Sequence, residues 1–159
     1  MYGNRRLVNS MTVVNGQALL RAAPIYPMFG FKVKNNGVSH GLGEAGYDVR
    51  IAETVELCSK DRFRLASTVE EFNMPPTLVG IVHDKSTWAR QGLSVFNTVV
   101  EPGWRGVLTL ELVYHGKEPL RIEAGSGIAQ VIFHELLLAG HYEGKYQNQE
   151  AGPQEARFA

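Results

Sequence analysis

The chain carries one cysteine, Cys58, in 159 residues. No disulfide can close within it, which fits a reducing compartment. One cysteine also cannot supply the HxE and PCxxC ligands with which zinc deaminases activate water. The five histidines, His40, His83, His115, His134 and His141, show no HExxH or comparable spacing. They read singly as surface or packing residues, and no protein-held zinc is expected. Charge of one sign is lacking too: sixteen basic residues balance sixteen acidic ones. A duplex-binding protein usually carries a basic excess, so polymeric nucleic acid is not the expected partner. No apolar run reaches transmembrane length. Residues 1–15 hold Arg5 and Arg6 but no apolar signal-peptide segment. The expectation is a soluble, cytoplasmic protein with no membrane partner.

What is present suits one domain, 1–159, with 44% apolar residues to build a core. Asn15 is placed to cap a short helix through Gln17–Arg21 that Pro24 would stop. Pro27 discourages helix further on. Residues 34–46 are rich in Gly and Asn and read as a loop. From Tyr47 the pattern turns to period two: Tyr47, Val49 and Ile51 alternate with Asp48, Arg50 and Ala52, as Phe63 and Leu65 do with Arg62 and Arg64. Residues 78–83, 93–100, 107–114 and 128–138 are further strand candidates, punctuated by Pro75-Pro76, Pro102-Gly103, His115-Gly116 and residues 125–127. Many short strands and few helices point to an all-β sandwich or barrel. From His141 onward the chain turns polar, and composition alone leaves open whether this is a frayed terminus.

Three segments bear on chemistry. Gly41-Leu42-Gly43-Glu44-Ala45-Gly46 matches GxGxxG, but a strand follows it and no βαβ unit surrounds it, so the match is read as chance. Asp84 can cap a turn of helix over residues 85–92, with Ser86 and Arg90 on one face at i and i+4. Lys85, Ser86 and Thr87 at such a helix start suit phosphate, although a capped surface helix would look the same. Finally, residues 107–114 place Leu108, Leu110 and Leu112 on one face and Val107, Thr109, Glu111 and Val113 on the other. Glu111 is an acid among valines. It stands either on a solvated face or in a pocket, where it would be suited to acid–base work.

Taken in order, these segments resemble the dCTP deaminase/dUTPase superfamily over about residues 45–158. The first motif is carried by Ala45-Gly46-Tyr47-Asp48-Val49-Arg50. Thr68, Glu71, Met74 and Pro75 lead toward the second, Lys85-Ser86-Thr87-Trp88-Ala89-Arg90-Gln91-Gly92-Leu93. Residues 101–106 carry the third, Gly125-Ser126-Gly127-Ile128-Ala129-Gln130 the fourth, and Lys145-Tyr146-Gln147-Asn148-Gln149 with Arg157 the closing motif. There are departures: Glu101 stands for the usual dUTPase aspartate, and the wording of Ala45-Gly46-Tyr47-Asp48 leans toward dUTPases. Many relatives have a basic residue where Gly127 stands, and Trp88 replaces a smaller apolar residue.

The resemblance implies a distorted β-barrel of the dUTPase-like β-clip kind with a few short helices. It also implies a homotrimer with active sites between subunits, and a tail, residues 141–159, that closes over nucleotide. Mg²⁺ would ride on the triphosphate. Of the two activities, the deaminase is favoured: dCTP and water give dUTP and ammonia. Typical dUTPases have an apolar residue where Glu111 stands. Glu111 would activate water and carry protons, Ser86 would position the water, and Arg90 would orient Glu111 and stabilise developing charge. Lys85, Ser86, Thr87, Glu101, Trp104, Gln130, Lys145, Tyr146 and Gln149 are the implied nucleotide contacts. Trp104 lies beside the sugar in the family, and core packing is its other reading. Glu101 stands where dUTPases carry the aspartate that aims water at the α-phosphate. A dUTP pyrophosphatase, or both activities in one site, is therefore the alternative. A non-catalytic nucleotide-binding regulator is a third, and such a protein would have no need of Glu111.

Overall fold

The computed structural model describes residues 12–158. Arg5 and Arg6 lie outside the described residues. In chain order the elements begin with helix α1 (Gly16–Ala22), then strands β1 (Ile25–Tyr26), β2 (Lys32–Asn35), β3 (Val38–Leu42), β4 (Tyr47–Arg50), β5 (Val55–Leu57), β6 (Phe63–Asn73) and β7 (Leu78–Asp84). Helix α2 (Ser86–Ala89) follows, then β8 (Leu93–Val95), β9 (Val99–Val100), β10 (Arg105–Tyr114), β11 (Leu120–Ile122) and β12 (Gly127–Glu135). No helix among the described residues is long and apolar enough to cross a membrane.

The strands form a six-stranded sheet, β2-β3-β4-β12-β7-β9, a four-stranded sheet, β1-β6-β10-β8, and a pair, β11-β5, with every pairing antiparallel. The two larger sheets enclose a core that includes Tyr47, Val49, Phe72, Val82, Leu110, Leu112, Ile128 and Phe133. They are also stitched at their margins. Ile51 bridges to Thr68, and the Ala52 N–H donates to the Ser67 carbonyl at 2.8 Å. Elsewhere the Val95 N–H donates to Asp84 Oδ1 at 2.7 Å. Sheets joined along their edges in this way make a distorted barrel and leave few open strand edges.

Several elements follow the sequence pattern and several depart from it. α1 forms and ends at Ala23, which adopts φ 44° and donates to the Leu19 carbonyl at 3.0 Å just before Pro24. Asn15 does not cap it with its side chain; its Nδ2 donates instead to the Glu44 carbonyl at 2.7 Å. Residues 34–46 are not a loop. They contain most of the β2–β3 hairpin, turned at Asn36 (φ 50°) and Gly37 (φ 77°). Asn-Gly is the pair that tolerates two successive positive φ values, as the tight hairpin turn requires. Residues 93–100 are not one strand. β8 pairs with β10 while β9 pairs with β7, so the chain changes sheets across Phe96-Asn97-Thr98. Asp84 ends β7 and accepts from Val95; it does not cap α2, whose cap position is Lys85. The GxGxxG stretch runs through β3 into a tight turn closed by Gly43 N–H to the Gly46 carbonyl at 2.8 Å, with no helix after it.

Candidate active site

β10 divides as its alternation predicts. Leu108, Leu110 and Leu112 are buried at 6%, 1% and 0% exposure, while Glu111 is half-buried on the opposite face. That face forms one wall of a cavity of about 390 Å³. Glu101, Trp104, Thr109, Glu111, Tyr146 and Gln149 all line it. Glu111 lines this cavity while staying partly exposed, so each of its two readings holds in part. Glu101 comes from the turn entering β10, so the two carboxylates reach the same space from one strand and its approach.

A β-bulge shapes this wall. The β10–β6 register shifts between Val107 and Thr109, and the Leu108 N–H donates to Thr68 Oγ1 at 3.0 Å instead of to a ladder carbonyl. Bulges re-aim the side chains beside them; here these include Thr109 and, two residues on, Glu111.

The polar tail is not frayed over its described residues. Gln149 bridges in parallel to Gly106, the Val107 N–H donates to the Gln149 carbonyl at 2.9 Å, and the Asn148 N–H donates to the Arg105 carbonyl at 2.9 Å. Gly106 has φ 142°, and a Cβ there would lie 2.6 Å from the Gln149 nitrogen, so only glycine admits the tail this closely. The Gln149 amide and the Gln154 N–H both donate to Thr109 Oγ1. Trp104 is 5% exposed, packs against Phe72 with ring centroids 6.0 Å apart, and donates its indole N–H to the Tyr146 carbonyl at 2.7 Å. Core packing and a place on the cavity wall are thus both true of Trp104. Tyr146 carries Lys145 and Arg157 near its ring, at 5.3 Å and 5.8 Å from the centroid. Lys145 itself is exposed and donates to the Arg157 carbonyl; it is not on the cavity wall.

The remaining sequence candidates form a second group, and none of them lines this cavity. α2 is a single turn, with Ser86, Thr87 and Arg90 exposed. Their side chains make no hydrogen bond or ion pair with other described residues. Lys85 is buried at 8% exposure, its Nζ 2.6 Å from Asp48 Oδ2 and 3.3 Å from Ser39 Oγ. Asp48 is also held by Lys32 at 3.2 Å. The charge of Lys85 is thus paired with Asp48, and Lys32 leaves the three-residue group with net positive charge. Gln130 is on β12 opposite Asp48 and His83.

Three titrating groups with clear shifts, Glu70, His40 and Tyr47, surround the first-motif strand β4. Burial raises the Glu70 carboxyl above its ordinary range, against the opposing pull of Arg50, whose Nε and N–H donate to it at 2.7 Å and 2.8 Å. Burial, then the Arg50 charge, lowers His40. Burial raises Tyr47, whose hydroxyl accepts from the Phe29 N–H at 3.1 Å.

Sequence reasoning missed Thr98 and Tyr142, which also line the cavity. Thr98 left a trace: Asn97-Thr98 interrupts an apolar run. Tyr142 sits at the start of the polar tail and left none.

Two stitched antiparallel sheets with the cavity at the entry of β10 define the class: an all-β, dUTPase-like distorted barrel. The EIAV dUTPase superposes with a TM-score of 0.53 at 22% identity, covering 64% of this chain and 84% of that one. The 2′-deoxycytidine 5′-triphosphate deaminase of Agrobacterium tumefaciens gives a TM-score of 0.58 at 13% identity, covering 77% of this chain and 47% of that one. A family model described as dCTP deaminase-like matches residues 21–136. The dCTP deaminase of Campylobacter curvus (strain 525.92) is 32% identical over 161 aligned residues, 80% of this chain and 87% of that protein. The chain belongs to the dCTP deaminase-like family.

Proposed function

We propose that the chain is a dCTP deaminase that acts as a homotrimer. The observation that carries this reading is Glu111, half-buried on the wall of a cavity of about 390 Å³, in a chain of this family. Glu111 takes a proton from water as the oxygen attacks C4 of the cytosine, and delivers it to N3 of the tetrahedral adduct. It then moves the new hydroxyl's proton to the amino group, the C4–N bond breaks, and ammonia leaves as the C4 carbonyl forms. One water is consumed and one ammonia released.

Ser86 and Arg90 enter from a neighbouring subunit, Ser86 to hold the water and Arg90 to orient Glu111 and offset developing charge. Two features support this. Both side chains are exposed and without partners among the described residues. The apolar surface beside the cavity is also uncovered, with Phe63, Phe96 and Val99 at 49%, 53% and 50% exposure. Thr87, Gln130 and the Lys32–Asp48–Lys85 group accompany Ser86 toward the phosphates. Trp104, Tyr146 and Gln149 contact the nucleotide from the cavity side, and Lys145 from the tail that closes over it. Among the described residues no three His, Cys, Asp or Glu side chains converge on a metal position. Mg²⁺ would be carried by the triphosphate and its waters, partly neutralising the phosphate charge.

Glu101 on the same cavity wall favours a second reading, dUTP pyrophosphatase activity in addition. It keeps the charge of the aspartate that aims water in dUTPases but is longer by one methylene. Incubation with dCTP and Mg²⁺, followed by separation of dCTP, dUTP and dUMP, tests both readings. Accumulating dUTP supports the deaminase, and dUMP the bifunctional enzyme. Untouched dCTP with turnover of dUTP contradicts the deaminase.

A further inference from the structure

Thr98 lies in the segment where the chain crosses from β8 in one sheet to β9 in the other. Its backbone is fixed: its carbonyl accepts from the Val82 N–H at 3.0 Å. Two residues back, the Phe96 N–H donates to the Glu111 carbonyl at 3.0 Å, tying the same segment to β10. From this anchored position Thr98 Oγ1 reaches Glu111 Oε2 at 3.3 Å and the Phe96 carbonyl at 3.4 Å. One hydroxyl proton can serve only one of these acceptors at a time.

We infer that Thr98 is a positioning residue for Glu111, its hydroxyl turning between Glu111 Oε2 and the Phe96 carbonyl as Glu111 loses and gains its proton. The inference rests on the acid–base reading of Glu111 above. While Glu111 is ionised, its charge makes it the stronger acceptor, and a charge-assisted bond fixes Oε2 so that Oε1 is left for water. Once Glu111 is protonated, its pull on the hydroxyl weakens and the Phe96 carbonyl takes over, so the hydroxyl keeps an acceptor in either state.

The test is the pH profile of kcat/KM for dCTP deamination in Thr98→Val and Thr98→Ala, with Thr98→Ser as the rescue. Both hydroxyl-free variants leave the backbone anchor in place. The other titratable groups lining the cavity, Glu101, Tyr142, Tyr146 and Glu155, are the same in every variant. Losing a hydrogen bond to the charged form moves the acidic limb upward by about one pH unit. We expect that shift in both variants, a fall in kcat with little change in KM, and the wild-type profile in Thr98→Ser. Glu111→Gln is run alongside. If Glu111→Gln is inactive while Thr98→Val and Thr98→Ala keep the wild-type limb, the Thr98 inference is wrong and the reading of Glu111 stands. If Glu111→Gln deaminates normally, both are wrong.

Discussion

The indole N–H of Trp88 donates to the Gly127 carbonyl at 2.7 Å, with both residues buried. Two positions at which the family resemblance leads one to expect other residues are thus in direct contact. A Cβ on Gly127 would lie 2.0 Å from the Ser39 carbonyl oxygen, so a basic side chain cannot be accommodated there without moving β3. Trp88→Phe should leave a buried carbonyl without its donor and cost about 1–3 kcal/mol. Gly127→Ala should cost at least as much, because its clash is with backbone rather than with a movable side-chain end. Urea denaturation of the two variants checks both values, and a Gly127→Ala protein as stable as the wild type would contradict the packing described.

The Glu70–Arg50 pair gives a pH prediction. Burial makes the folded Glu70 carboxyl hold its proton more tightly than the unfolded one. Its contribution to stability is therefore complete below the unfolded value and is lost as pH rises through the folded one. As pH rises above the ordinary carboxylate value of about 4, the wild type should lose stability relative to Glu70→Gln, which has no proton to release. Parallel curves of denaturation midpoint against pH would show that Glu70 titrates alike in both states.

Removal of residues 145–159 should leave the barrel and its assembly intact while most turnover is lost. The deletion takes away Tyr146 and Gln149, and with them the acceptor for the Trp104 indole and the bridge to Gly106. Sedimentation of the truncated protein, with a dCTP assay, separates assembly from turnover. Full activity in the truncated protein would make the tail a packing element only.

Dialysis against a zinc-selective chelator should leave dCTP deamination unchanged once Mg²⁺ is restored, since no three ligating side chains converge among the described residues. Stoichiometric zinc that tracks activity on purification would overturn this.

Much of the barrel was legible because burial imposes period two on strands such as β10, where three leucines alternate with Thr109 and Glu111. The β2–β3 hairpin was hidden by the Gly and Asn content of residues 34–46, within which Asn36-Gly37 is a hairpin-turn pair. The β8–β9 break was hidden because both strands are apolar, and only their partners, β10 and β7, tell them apart. Sequence pattern and resemblance together named five residues that the fold brings to one cavity: Glu101, Trp104, Glu111, Tyr146 and Gln149. They could not reveal that Lys85 is spoken for by Asp48, because that pair joins residues 37 apart in sequence across two strands' ends.

The central claim is that Glu111 moves the protons of deamination, and dUTP formation from dCTP by Glu111→Gln tests it most directly. The variant keeps the side chain's shape and loses its ability to take and return a proton. Deamination should fall by about 10²–10⁴-fold while dCTP still binds. Any conversion of dUTP to dUMP should survive better, because it would rely on Glu101, and Glu101→Gln should show the opposite selectivity. Deamination by Glu111→Gln at the wild-type rate would contradict the account and leave Glu111 as one more residue on the wall of the cavity.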